Sequence, residues 1–191
     1  RLIVRLMRKM IGFPNKDIAK GRVKTRALSI PGPGGEIPVR LYLPEGTNLP
    51  ILLYFHGGGW VGGSVDAVEN IGRGLADRAG HIVINVDYRL APENPFPAAV
   101  DDALAAWKEI AAAHPNSRII LSGDSAGGGL SLVLMQKLRD EGQRMPDAAV
   151  LFSPWTDLTC ESSTFESHAK RDPFLFPRVV RDYARYYLGD G

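Results

Sequence analysis

A single cysteine, Cys160, is all the thiol chemistry in this 191-residue chain. It cannot form an intrachain disulfide, so the sequence points to a reducing, cytoplasmic setting. A catalytic thiol is equally disfavoured, because no glycine turn or nearby base accompanies Cys160. Long apolar runs are also missing, and no stretch reads as a signal-peptide core or a membrane-spanning helix. There is no metal-ligand spacing such as His-Glu-x-x-His and no phosphate-binding Walker motif, so neither a metal nor a cofactor is expected. Internal repeats and low-complexity segments are absent. The net charge is only +2, which gives no reason to expect a nucleic-acid partner.

An apolar share of 45% is enough for the core of one domain of this length. The small net charge is unevenly spread: residues 1–26 carry nine Lys or Arg against one acid, a net +8 that leaves −6 for the rest. Leu2, Ile3, Leu6, Met7 and Met10 follow a helical period there, giving a basic amphipathic segment. It reads as a helix covering a neighbouring site, with a membrane-surface role as the alternative and no stable insertion.

The hydrophobic period alternates between strand and helix along the chain. Arg26 to Ile30 and Ile37 to Leu43 read as antiparallel strands around the turn Pro31-Gly32-Pro33-Gly34-Gly35. Apolar strands follow at Ile51 to Phe55, Ile82 to Val86, Arg118 to Ser122 and Ala148 to Phe152. Between them, Val68, Ile71, Leu75 and Ala79 mark one helix face, and Val100, Ala103, Leu104, Trp107 and Ile110 mark another. A third helix covers Leu130 to Leu138, and Phe176, Val179, Val180, Tyr183 and Tyr187 give a last one. Such alternation predicts an α/β fold, a mostly parallel sheet with helices on both faces.

Two glycine-rich turns carry the chemistry. Gly123-Asp124-Ser125-Ala126-Gly127 sits between a strand and a helix, as a nucleophile elbow must. Gly123 and Gly127 lack the Cβ atoms that would collide where strand and helix nearly touch, and Ser125 projects at a helix N-terminus. About 65 residues earlier, the strand Ile51 to Phe55 runs into His56-Gly57-Gly58-Gly59-Trp60. A triple glycine lets backbone amides turn towards the oxygen that gains charge in acyl transfer. A flexible turn is the plain alternative for either motif alone; together, in this order, they point to acyl chemistry.

With Asp87-Tyr88-Arg89-Leu90-Ala91-Pro92-Glu93 between them, the three segments resemble the hormone-sensitive-lipase family of α/β-hydrolases, the bacterial family IV carboxylesterases. The resemblance runs from about Ile30 to Leu188. It implies an esterase acting on short to medium acyl esters, with a helical cap. Ser125 matches the nucleophile, and the amides of Gly57, Gly58 and Ala126 match the oxyanion hole. His56 matches a loop-positioning residue. Trp60 is a candidate for the substrate pocket. The implied organisation is a first cap segment at 1–24, an α/β-hydrolase core at 25–160 and a second cap segment at 161–191.

The triad is where the chain departs from that pattern. In this fold the partners follow as Ser, then Asp or Glu, then His, and Gly191 lies only 66 residues past Ser125. Only His168 follows the serine, in a polar stretch from Glu161 to Arg171 that reads as a loop, and Asp172 comes after it in the wrong order. A chain beginning at Arg1 and lacking these partners reads as part of a longer polypeptide. Its last strand, an unbroken apolar run, suits an interior position, so in this chain the sheet is expected to be cut open after Phe152, leaving an edge for a complementary C-terminal segment or another copy. Two other readings stay open: a non-catalytic small-molecule binder, as plant gibberellin receptors are on this scaffold, and an amidase or peptidase of the same fold.

Overall fold

Ile37 and Val39 alternate with exposed Glu36 and Pro38, and this period of two sets the first hairpin on the sheet. A computed structural model describes residues 17–172 and 175–190. Strands β1 (Lys24–Gly32) and β2 (Gly35–Leu43) pair antiparallel, with Gly32 opposite Gly35 across a two-residue turn. Gly35 holds φ +117°, a conformation that a side chain rarely allows.

The remaining strands are β3 (Ile51–Phe55), β4 (Ile82–Val86), β5 (Ile119–Asp124) and β6 (Ala148–Phe152). They form a six-stranded sheet in the order β1-β2-β4-β3-β5-β6, parallel from β4 through β6. Ile51, Leu53 and Phe55 face one core, with helices α2 (Ala98–Ala113) and α3 (Ala126–Asp140). Leu52 and Tyr54 face the other, with α1 (Glu69–Ala79). All five residues of β3 are buried, as expected of a parallel strand covered on both sides.

The chain steps from β3 to β4 on one side, then crosses to β5 on the other. The strand order therefore reverses at β3 and β5, and open α/β sheets bind ligands at such a reversal, outside the carboxyl ends of the strands. Phe55 lies level with both Val86 and Gly123, so the loops after β3, β4 and β5 leave the sheet at one edge.

Three elements differ from the sequence reading. In α1 the buried residues are Gly72 and Ala76, while Ile71 and Ala79 are exposed and Leu75 is half-buried. The cause is a close approach: a Cβ on Gly72 would strike the Tyr42 ring, so only small residues fit there. Helix α3 begins at Ala126 and runs through Gly127, Gly128 and Gly129, which read as helix breakers by propensity. Each lies against neighbouring chain (Phe55, Pro154 and Trp155) where a Cβ would crowd it. The stretch expected to be a loop contains α4 (Ser163–Ser167), a single turn after Ser162 and too short to show a period.

Strand β6 ends the sheet, as expected of an apolar strand whose further neighbours are not in this chain. Among the described residues it pairs only with β5, and its apolar Val150 and Phe152 are each 49% exposed. The last helix, α5 (Pro177–Leu188), buries Val180, Ala184 and Tyr187. Trp107 lies in the core, its indole N–H donating to the Arg144 carbonyl at 3.0 Å. No helix among the described residues is long and apolar enough to cross a membrane.

Candidate active site

Ser125 occupies φ 52°, ψ −118°, a region that costs a residue with a side chain of the order of 1–3 kcal/mol. Its surroundings impose it. The Ser125 N–H donates to the Phe152 carbonyl at 2.9 Å, and its carbonyl accepts from Gly129 N at 3.0 Å and Trp155 N at 2.9 Å. On either side, a Cβ at Gly123 would run into the Gly127 backbone, and one at Gly127 into the Phe55 and His56 carbonyls. The elbow is thus wedged between β3 and the segment after β6. Ala126 opens α3 at the helix N-terminus, where the first amides have no intrahelical acceptor.

The glycine loop leaves β3 beside it. Gly58, Gly59 and Trp60 hold φ of +125°, +65° and +56° in succession, which turns the chain sharply back. The Gly58 carbonyl accepts from Val61 N at 3.1 Å and Gly62 N at 2.8 Å, and the Trp60 carbonyl accepts from Ala91 N at 2.8 Å.

His56 is fully buried and stacked on Tyr88, with ring centroids 4.5 Å apart. Its Nδ1 lies 2.8 Å from the Gly57 carbonyl, which can only accept, so Nδ1 carries the proton. Burial pushes the His56 pKa below the usual histidine value, outweighing the Gly57 carbonyl and the charges of Asp87 and Asp124. A trans peptide points its N–H opposite its C=O. Fixing the Gly57 carbonyl on His56 therefore aims the Gly58 N–H away from the ring.

Two expected site residues take other places. The Gly57 N–H donates to Asp124 Oδ1 at 2.9 Å, so that amide is already engaged and not turned to an oxyanion. Trp60 is 3% exposed, its ring stacked on both Trp155 at 5.1 Å and Tyr187 at 4.3 Å. So deeply buried and stacked, the ring has no exposed face for a substrate. Tyr183 of α5 lies over Gly59, closing the loop from the outside.

Among the described residues, no histidine ring hydrogen-bonds the Ser125 hydroxyl. His56 is spent on the loop. His81 precedes β4 and His114 caps the C-terminus of α2, both at the opposite edge of the sheet. His168 is exposed and contacts Ser167 at 3.0 Å. The residues that the sequence did not single out are Tyr54, Asp124, Tyr88 and Trp155. Of these Asp124 and Tyr88 lay inside recognised motifs, and only the fold reveals their partners.

Residues 52–191 match the family described as alpha/beta hydrolase fold. The chain belongs to that family. Within the α/β-hydrolases it groups with hormone-sensitive-lipase-like esterases. It is 43% identical over 138 residues to an acetyl-hydrolase of Streptomyces hygroscopicus, covering 72% of this chain and 46% of that protein. The carboxylesterase NlhH of Mycobacterium tuberculosis is 37% identical over 195 residues, covering 97% of this chain and 60% of NlhH. A solved hormone-sensitive lipase from a metagenome library superposes with a TM-score of 0.87 at 34% identity, covering 97% of this chain and 62% of that one. This α/β-hydrolase chain spans about half the length of the curated relatives it matches.

Proposed function

We propose that the protein is a serine carboxylesterase of short to medium acyl esters, with Ser125 as nucleophile and the amides of Gly58 and Ala126 as oxyanion donors. The observation that carries this reading is the strained Ser125 turn, braced through three backbone hydrogen bonds beside a triple-glycine loop. Strain of this kind is retained where the surroundings over-determine it, and it lifts a hydroxyl clear of the sheet.

In the reaction, Ser125 Oγ attacks the ester carbonyl carbon and its proton passes to a base. The carbonyl π electrons move to oxygen, and two preorganised N–H groups receive the charge. Collapse expels the alcohol, which takes the proton, and leaves an acyl-enzyme for water to hydrolyse. The base is a histidine following an acidic residue in chain order, a role for which none of the described histidines is placed. Segment 161–191 acts as a cap, a reading supported by Tyr183 over Gly59, while the first cap segment expected at 1–24 lies mostly outside the described residues. The lone, buried Cys160 fits a reducing cytoplasmic setting.

The test is covalent labelling of a catalytically complete form with a fluorescent alkylphosphonate. Parent protein should label once, at Ser125, and Ser125→Ala should not label. Label retained in Ser125→Ala at another serine would reassign the nucleophile.

A further inference from the structure

We propose that Asp124 is a positioning residue of the acylation site, holding the Gly57 amide and thereby fixing how the glycine loop presents Gly58 to the acyl carbonyl. The proposal rests on the reading of Ser125 as nucleophile and deepens it.

The Asp124 side chain reaches sideways from the residue before Ser125 to the neighbouring strand. A single oxygen, Oδ1, accepts from Tyr54 Oη at 2.6 Å and from Gly57 N at 2.9 Å. Its other oxygen packs so closely on the loop that a Cβ at Gly57 would strike it. Tyr54 is a dependable donor: burial, and then the Asp124 charge, pushes its phenol well above the usual value.

The consequence follows through two successive peptide planes. In the first, the Gly57 N–H is held by Asp124 and the His56 carbonyl accepts from Tyr88 Oη at 2.6 Å, so both ends are fixed. In the second, the Gly57 carbonyl is held by His56 Nδ1. Beyond it come Gly58 and Gly59, whose backbones are intrinsically the most permissive in the chain. An oxyanion hole works only if its donors are aimed before charge develops. A carboxylate beside a developing oxyanion is unfavourable electrostatically, so the benefit of Asp124 has to be geometric. It converts a loose glycine turn into an aimed one, referenced to the residue adjoining the nucleophile.

Asp124→Ala, Asp124→Asn and Tyr54→Phe would be compared with parent and Ser125→Ala in a catalytically complete form, using p-nitrophenyl butyrate. Asp124→Ala should lower kcat about 100-fold with KM within about three-fold, the size of losing one oxyanion donor. Affinity for a trifluoromethyl ketone, whose hemiketal oxygen occupies the hole, should fall by a similar factor. Asp124→Asn keeps an acceptor at Oδ1 and should recover kcat to within about ten-fold of parent. Tyr54→Phe removes one of the two anchors and should cost about five-fold, the scale of one hydrogen bond.

Asp124→Ala with kcat within two-fold of parent, a loss confined to KM, or no recovery in Asp124→Asn would each overturn the proposal. Should Asp124→Ala fail to fold, Tyr54→Phe decides, and an unchanged kcat there overturns it. Activity or labelling that persists in Ser125→Ala overturns the nucleophile reading and this proposal together. A dead Ser125→Ala beside an Asp124→Ala at parent rate overturns this proposal alone.

Discussion

Ser125 and His56 show how single residues at this site carry opposed energies. The Ser125 backbone costs of the order of 1–3 kcal/mol, and its three backbone hydrogen bonds contribute roughly 0.5–1.5 kcal/mol each. The turn is therefore about neutral, and it holds because Phe152, Gly129 and Trp155 close around it. His56 is different, since its energy depends on pH. Its folded pKa lies below the unfolded value of about 6.5, so the unfolded chain binds more protons in acid. The sign follows: stability is complete above about pH 6.5 and is lost as pH falls towards the folded pKa. The urea midpoint of the parent should decline between pH 7.5 and 5, and that of His56→Asn should be flatter over the same window. A parent midpoint constant down to pH 5 would mean that the buried ring is protonated without cost.

Among the elements, α2 is tied to the hairpin by one ion pair. The buried Asp102 accepts from Arg89 N at 2.9 Å and from its guanidinium Nη2 at 2.8 Å, and that guanidinium lies across Gly34 in the β1–β2 turn. Removing the carboxylate strands both the cation and an amide. The usual cost for a buried pair is about 3–5 kcal/mol. Arg89 remains 29% exposed, and water offsets part of the loss. Asp102→Ala should destabilise by about 2–3 kcal/mol and lower Tm by roughly 5–10 °C for a chain of this size. A shift under about 2 °C would make the pair incidental.

What the sequence made legible at this scale was whatever periodicity encodes. Strands β3, β4 and β6 run over the residues expected of them, because apolar runs bounded by turn residues are local signals. The start of α3 was not legible. Its glycines are set by the approach of Phe55, Pro154 and Trp155, which come from elsewhere in the chain. The site divides in the same way. Ser125 and the glycine loop were readable as motifs, whereas the Gly57–Asp124 bond and the burial of Trp60 spring from residues far apart in sequence.

For the whole molecule, the open question is the sheet edge at β6. Ala148-Ala149-Val150-Leu151-Phe152 contains no Lys, no Pro and no charge, the devices that keep a free edge from pairing with another chain. Val150 and Phe152 stand half exposed beside the segment that braces Ser125, so whatever covers this edge also covers the support of the nucleophile. The 191-residue chain by itself should therefore self-associate. Light scattering should give a mass that rises with concentration, and Val150→Lys should bring it back towards the monomer by placing a charge on the edge. Because the elbow is not altered by that substitution, urea unfolding of Val150→Lys should remain a single transition. A parent chain that stays monomeric at all concentrations, with one cooperative transition, would show that the β6 edge is protected in a way that its exposed apolar residues do not reveal.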